Sequence, residues 1–282
     1  MDNETLIFVH IPKTAGMTLQ WIIKRQYPPE RLYFVGNPPE DGINAFERMS
    51  LEERGRYRAI VGHVHLGVSR LVPGPCRLFT LLREPVDRVI STYYYIRNTP
   101  DHPHYAKVGE GRMSLSDLLV SGIAPLMSNG QTRVLCTHER DENMPYGESP
   151  PEALERAKQN LDSEFELVGT VKRFDESLLM LKERFGWRSV YYARRNTSKR
   201  RPMREEISPH VHELIREYNR LDFELYRYAA ERFDRQVAAL GRSFRYRVQL
   251  FRQLNRSANA YVRAKTRTRR LLAGPAGHLA RA

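Results

Sequence analysis

Nowhere in its 282 residues does the chain hold 18 consecutive apolar residues, which excludes an ordinary membrane-spanning helix. Cysteine is scarce. Cys76 and Cys136 stand far apart, with no second Cys two or three positions from either, so neither a Cys-x-x-Cys zinc site nor a disulfide framework is expected, only two buried thiols. No glycine is followed by lysine, so the G-x-x-x-x-G-K-[ST] loop of nucleoside triphosphatases is missing, and magnesium-dependent nucleotide hydrolysis is not expected. Residues 241–282 lack acid altogether, yet they hold eleven Arg or Lys. The net charge of +13, from 46 basic and 33 acidic residues, therefore belongs mostly to that tail. The first 240 residues hold 35 basic and 33 acidic residues and are nearly neutral, so the charge does not by itself make the body a nucleic-acid or membrane binder.

What is present alternates between two periodicities. Residues 6–11 (LIFVHI) form a short apolar run, followed by a Pro-Lys-Thr-Ala-Gly loop and an amphipathic stretch through Tyr27, which predicts strand, tight loop and helix. A second run spans Ala59 to Val64. A third, Leu78 to Leu82, leads through Arg83-Glu84-Pro85 into a helix to about Asn98, with Pro85 suited to its first turn. Leu167 to Val171 and Val190 to Ala193 are the fourth and fifth strand candidates, with a helix over Asp175 to Phe185 between them. A further helix starts at Ser208-Pro209, Ser as N-cap. Strands alternating with helices predict a single α/β domain with a central, mainly parallel sheet flanked by helices on both faces. In such folds ligands sit beyond the carboxyl ends of the strands, where the loops 99–115 and 139–151 would gather.

Two segments carry anion chemistry. FVHIPKTAGMT (Phe8 to Thr18) places a lysine, two threonines and a glycine between a buried strand and a helix N-terminus, where unpaired N–H groups and the helix dipole favour phosphate-like groups. REPVDRVISTYYY (83–95) puts Arg83 at a strand end and Arg88, Ser91 and Tyr95 on one face of the following helix. For Arg88, ligand contact and a structural ion pair are equally good readings; the three tyrosines suit core and groove lining.

With these two motifs the sequence resembles the sulfotransferase superfamily, in the branch of the heparan sulfate and uronyl 2-O-sulfotransferases and their bacterial relatives. IPKTAGMT resembles the 5′-phosphosulfate loop of that family and R-x-P-x-x-R-x-x-S-x-Y its 3′-phosphate motif. GHVHLG (62–67), NGQTRVLC (129–136), VGTVKRFDESLLML (168–181) and LDFELYRYA (221–229) are also similar, so the resemblance covers about residues 5–235 and leaves the tail outside. It implies a P-loop-like fold and 3′-phosphoadenosine 5′-phosphosulfate (PAPS) as sulfuryl donor, with no metal and with a hydroxyl acceptor, by family a carbohydrate. The donor would be held by Lys13, Thr14, Ala15, Gly16, Met17 and Thr18 at the phosphosulfate and by Arg83 and Ser91 at the 3′-phosphate. Asn196-Thr197-Ser198-Lys199-Arg200 resembles a late basic loop that closes on the 3′-phosphate, which makes Lys199 and Arg200 candidate contacts.

Transfer to a hydroxyl needs a base, and histidine is the natural one near neutral pH. His63 and His65 end the second strand run, where alternation would put both on one face. The resemblance selects His63, after Gly62, as the catalytic base beside Lys13. The 2-O-sulfotransferases carry another histidine just before that glycine, where this chain has Val61, so His65 stays an alternative, as does a metal-binding H-x-H pair. Arg133 within NGQTRVL is a further basic feature.

In the tail, Phe244, Val248, Phe251, Ala258 and Val262 recur at helical spacing between arginines. This predicts a basic amphipathic helix, or a disordered solubilising tail, appended to a catalytic domain at 1–240. It would suit an anionic membrane surface or a polyanionic acceptor, and no nucleic-acid module accompanies it. The N-terminus (Met1-Asp2-Asn3-Glu4) is acidic and unlike a signal peptide, so the expected location is cytoplasmic, peripheral at a membrane. Two rival functions are a P-loop kinase, which would need magnesium and ignore a ribose 3′-phosphate, and a non-catalytic polyanion binder driven by the tail.

Overall fold

Five short runs pair into one parallel sheet in the order β2-β3-β1-β4-β5: β1 Thr5–Val9, β2 Leu32–Val35, β3 Ala59–Gly62, β4 Cys76–Leu82 and β5 Phe165–Thr170. This is a computed structural model describing residues 4–36, 39–138, 144–193 and 207–272, with side chains through Asn259. Among the described residues the helices are α1 Gly16–Ile23, α2 Pro39–Arg48, α3 Leu51–Arg54, α4 Pro85–Arg97, α5 Tyr105–Val108, α6 Leu115–Ser121, α7 Gly130–Leu135, α8 Pro151–Ser163, α9 Phe174–Phe185, α10 Pro209–Tyr218, α11 Arg220–Ala239 and α12 Gly241–Leu272. No described helix is long and apolar enough to cross a membrane.

A parallel sheet covered on both faces needs strands that are apolar throughout, and every residue of β1 and β3 is buried. Alternation then sorts the side chains. Ile7, Val9, Ile60, Leu78 and Leu82 face one layer with α8 and α11, while Leu6, Phe8, Val61, Phe79 and Leu81 face the other with α1, α9 and α12. A third cluster joins α4, α6 and α10 through Val89, Leu118 and Ile215. The predicted caps hold: Ser208 Oγ accepts from the Val211 N–H, and Pro85 opens α4 behind Glu84, whose carboxylate accepts from the Asp87 N–H.

The strand set differs from expectation at two places. Val190 to Ala193 is not a strand; the N–H of Tyr192 donates to Asn255 Oδ1 and its carbonyl accepts from Asn259 Nδ2, so side chains of α12 take the place of a neighbouring strand. The remaining strand is Leu32–Val35, a half-buried edge. The tail also differs. Gly241, at φ 71, breaks the helix between α11 and α12, but the core continues: Phe244, Val248 and Phe251 are buried in the α1 and α9 layer. The outward side of α12 carries exposed arginines together with Tyr246, Leu250 and Leu254, while its inward side belongs to the domain. Cys136 is buried as expected; Cys76, opening β4, is only half-buried.

Candidate active site

The strand order places three carboxyl ends side by side, with β1 paired to β3 on one side and to β4 on the other. β3 leads into His63, β1 into Lys13 and β4 into Arg83. The segments predicted from three distant stretches of sequence are thereby neighbours at the carboxyl end of the sheet.

Between β1 and α1 the chain turns tightly, with Lys13 at φ 69 and Ala15 at φ 66. Left-handed backbone at non-glycine residues costs about 1–3 kcal/mol each and persists only where surroundings enforce it. Alternating backbone of this kind turns N–H groups toward one point, forming an anion nest. The N–H groups of Ala15, Gly16 and Met17 donate to no carbonyl among the described residues, whereas those of Thr18 and Leu19 already donate to the Ala15 carbonyl. Thr14 is fully buried, and its hydroxyl donates to the Ile11 carbonyl at 2.8 Å. Thr14 therefore locks the loop through its hydroxyl, while the Thr18 hydroxyl has no partner among the described residues.

The second motif closes against this loop. Arg83 Nη1 donates to the Lys13 carbonyl at 3.0 Å, and the Arg83 backbone is bracketed by Gln131, which accepts from its N–H at 2.8 Å and donates to its carbonyl at 2.9 Å. Lys13 Nζ stands 3.9 Å from the ring centroid of Tyr95 on α4, and Ser91 lies one turn earlier on that helix. Arg88 is elsewhere. It is wholly buried, ion-paired to the equally buried Asp222 at 3.4 Å, and the structure favours the structural reading for it. Asp222 in turn accepts from the N–H groups of Gln131 and Thr132, capping α7, so the NGQ segment and the start of α11 form one buried polar unit that positions Arg83. Arg133 is also structural, with its guanidinium donating to the carbonyls of Ser128, Met144 and Pro145.

The strand β3 ends at Gly62, whose φ of 147 is closed to other residues and whose added Cβ would stand 2.1 Å from the Val35 carbonyl. His63 therefore departs from the sheet, and the alternation that paired it with His65 stops there; His65 precedes a 3-10 turn over Leu66–Leu71. His63 Nδ1 is 3.0 Å from the His10 carbonyl, which can only accept, so Nδ1 carries the proton and Nε2 the lone pair. Burial lowers the His63 pKa, partly opposed by that hydrogen bond.

Two residues at the site escaped sequence reasoning. His10 stacks on His63 at 4.5 Å between centroids, is held through Nδ1 by Gln20 Nε2 at 3.2 Å, and packs so closely on Gly16 that a Cβ there would meet its ring at 1.7 Å. Its pKa is lowered to about 3 by burial first, then by His63 and Lys13. The signal for it was the alternation of β1, which puts His10 on the buried face of Phe8. The other is His102 in the 99–115 excursion, whose ring meets Tyr95 edge-on at 5.6 Å and which feels the charge of Lys13. Lys199 and Arg200 lie outside the described residues.

Comparison with known proteins decides the family. The family model described as galactose-3-O-sulfotransferase matches residues 2–268. The chain belongs to that family. Membership of the galactose-3-O-sulfotransferase family makes it a sulfotransferase and takes in α12 almost to its end, whereas the motifs alone left the tail outside. The chain is 24% identical to heparan sulfate 2-O-sulfotransferase 1 of Gallus gallus, over 82% of this chain and 71% of that protein. It is 27% identical to human galactosylceramide sulfotransferase over 85% of this chain and 59% of the relative. With human galactose-3-O-sulfotransferase 2 it shares 28% identity over 65% of this chain, and it spans about half of that relative's length, 46%. Among solved structures, mouse sulfotransferase SULT7A1 complexed with PAP aligns at a TM-score of 0.38 and 14% identity, over 77% of this chain and 65% of that one.

Proposed function

We propose that this chain transfers a sulfuryl group from PAPS to a carbohydrate hydroxyl. The observation that carries the reading is the junction of the two anion motifs, with Arg83 bound to the Lys13 carbonyl at the nest and His63 joined to the same loop through His10, on which it stacks and which packs on Gly16. The donor set fits PAPS: three N–H groups unpaired among the described residues, the Lys13 ammonium and the Thr18 hydroxyl suit a phosphosulfate, and Arg83 with Ser91 suits a 3′-phosphate. PAPS supplies an activated sulfuryl group on a phosphate leaving group.

The roles follow from the positions. His63 Nε2 takes the proton of the attacking hydroxyl, whose oxygen bonds sulfur as the bond from sulfur to the bridging oxygen breaks. Lys13 stabilises the electron pair left on that oxygen; leaving the Tyr95 ring costs it about 0.5–1 kcal/mol, less than the charge-assisted contact returns. Arg83 and Ser91 hold the 3′-phosphate; Lys199 and Arg200, outside the described residues, stay candidates for it from the sequence alone. A carbohydrate acceptor is supported by the names of the relatives, which act on heparan sulfate, galactosylceramide and galactose. The kinase rival loses its support, because it leaves Arg83 and Ser91 without an occupant and has no glycine-lysine loop.

The test is incubation of the purified chain with radiolabelled PAPS and a panel of galactose-terminated, uronate-containing and other glycans. Labelled product is expected on at least one glycan, and the initial rate of labelling should fall about a hundredfold or more with Lys13→Ala and His63→Ala proteins that remain folded. A folded chain that binds adenosine 3′,5′-bisphosphate but labels only tyrosine peptides or lipids lacking sugar would overturn the acceptor assignment.

A further inference from the structure

Helix α12 has two apolar faces, and only one is used. Phe244, Val248 and Phe251 are buried against the domain, and Arg252 on that side pairs with Asp175 and Glu176 of α9. This fixes the rotation of the helix. On the outward side Tyr246, Leu250 and Leu254 recur at i, i+4 and i+8, exposed to 67%, 42% and 45%. A helix that only had to close the core would be polar there. Arg242 borders the stripe, and Arg245 and Arg256 follow on the same flank between it and the buried face; all three are exposed and pair with no carboxylate among the described residues.

We infer that the outward face of α12 docks on an anionic phospholipid surface, with Tyr246, Leu250 and Leu254 entering the interface and the flanking arginines meeting the headgroups. The argument is complementarity of two kinds at once. A soluble sulfated polyanion would use the arginines but has no use for three large apolar side chains. A second copy could cover the apolar stripe but would bring together two arginine-lined helices from a segment without a single acidic residue. An anionic lipid surface offers negative charge and an apolar layer side by side, along the whole length of the helix. The helix, 32 residues long, lies along such a surface and does not cross it. This inference is independent of the acceptor proposed above.

The experiment is co-sedimentation of the full chain with vesicles of phosphatidylcholine alone and of phosphatidylcholine with phosphatidylglycerol, at low and high salt. Two double variants accompany it, Leu250→Gln with Leu254→Gln, and Arg245→Gln with Arg256→Gln; thermal midpoint and adenosine 3′,5′-bisphosphate affinity verify that each is folded. Binding is expected only to the anionic vesicles, and each double variant should weaken it about tenfold or more. Absence of vesicle binding, equal binding to neutral vesicles, or full binding by the Leu variant would overturn the inference. So would light scattering that finds a dimer which the Leu variant dissociates, since the stripe would then belong to a second copy.

Discussion

Acid should weaken this fold through one histidine. His10 is 7% exposed, wedged between Phe8, His63 and Gly16, and its pKa falls from an ordinary 6.5 to about 3. In the unfolded chain it takes a proton as pH drops below 6.5; in the folded chain it stays neutral until about 3. The unfolded state therefore binds more protons in that window, and stability, complete above pH 6.5, declines as pH falls. At pH 5 the gap amounts to 1.5 pH units below the free value, or about 2 kcal/mol. The comparison is His10→Asn, in which the amide oxygen can replace Nδ1 as acceptor for Gln20. Urea unfolding from pH 8 to pH 5 should show the wild type losing about 2 kcal/mol more than the variant, although the variant starts lower because the stack on His63 is lost. Parallel pH dependences in the two proteins would refute the buried neutral state of His10.

Three further outcomes are expected. Adenosine 3′,5′-bisphosphate should bind more than tenfold tighter than AMP, because charge-assisted bonds contribute about 1.5–3 kcal/mol each, and calorimetry on Arg83→Ala should show that preference gone. His63→Ala should lower turnover by about 10²–10⁴ with bisphosphate affinity unchanged. Because burial lowers the His63 pKa, the ascending limb of the wild-type pH–rate profile should have its midpoint below the ordinary imidazole value; loss at His65→Ala alone would move the base there. Arg88→Ala should destabilise by about 3–5 kcal/mol in denaturant titration, since it strands Asp222 in the core, yet purified protein should keep its nucleotide affinity.

The parts legible in the sequence were those set by local chemistry. The apolar runs of β1, β3, β4 and β5, the Pro85 and Ser208 helix starts and the two anion motifs all follow from neighbours in the chain. What escaped depends on contacts across the fold. Leu32–Val35 is a strand because β3 lies beside it, and Val190 to Ala193 is not one because Asn255 and Asn259 reach it first. Arg88 and Arg83 stand in one motif and look alike, but Asp222, far along the chain, buries the first and leaves the second at the carboxyl end of the sheet. The packing of α12 was half legible: the spacing of Phe244, Val248 and Phe251 predicted a helix, but not that its apolar face is occupied while a second stripe is exposed.

The left-handed turns at Lys13 and Ala15 have a kinetic meaning. The loop is bent by interior contacts, the Thr14 hydroxyl on Ile11 and Arg83 on the Lys13 carbonyl, before any anion arrives. If the loop holds the nucleotide as proposed, capture needs no rearrangement of its backbone, and stopped-flow association should show no slow step from it. On that reading donor and spent nucleotide share one cradle and should differ mainly in how fast they leave. On the proposed reading, turnover should follow the departure of the bisphosphate from a cradle already formed without it.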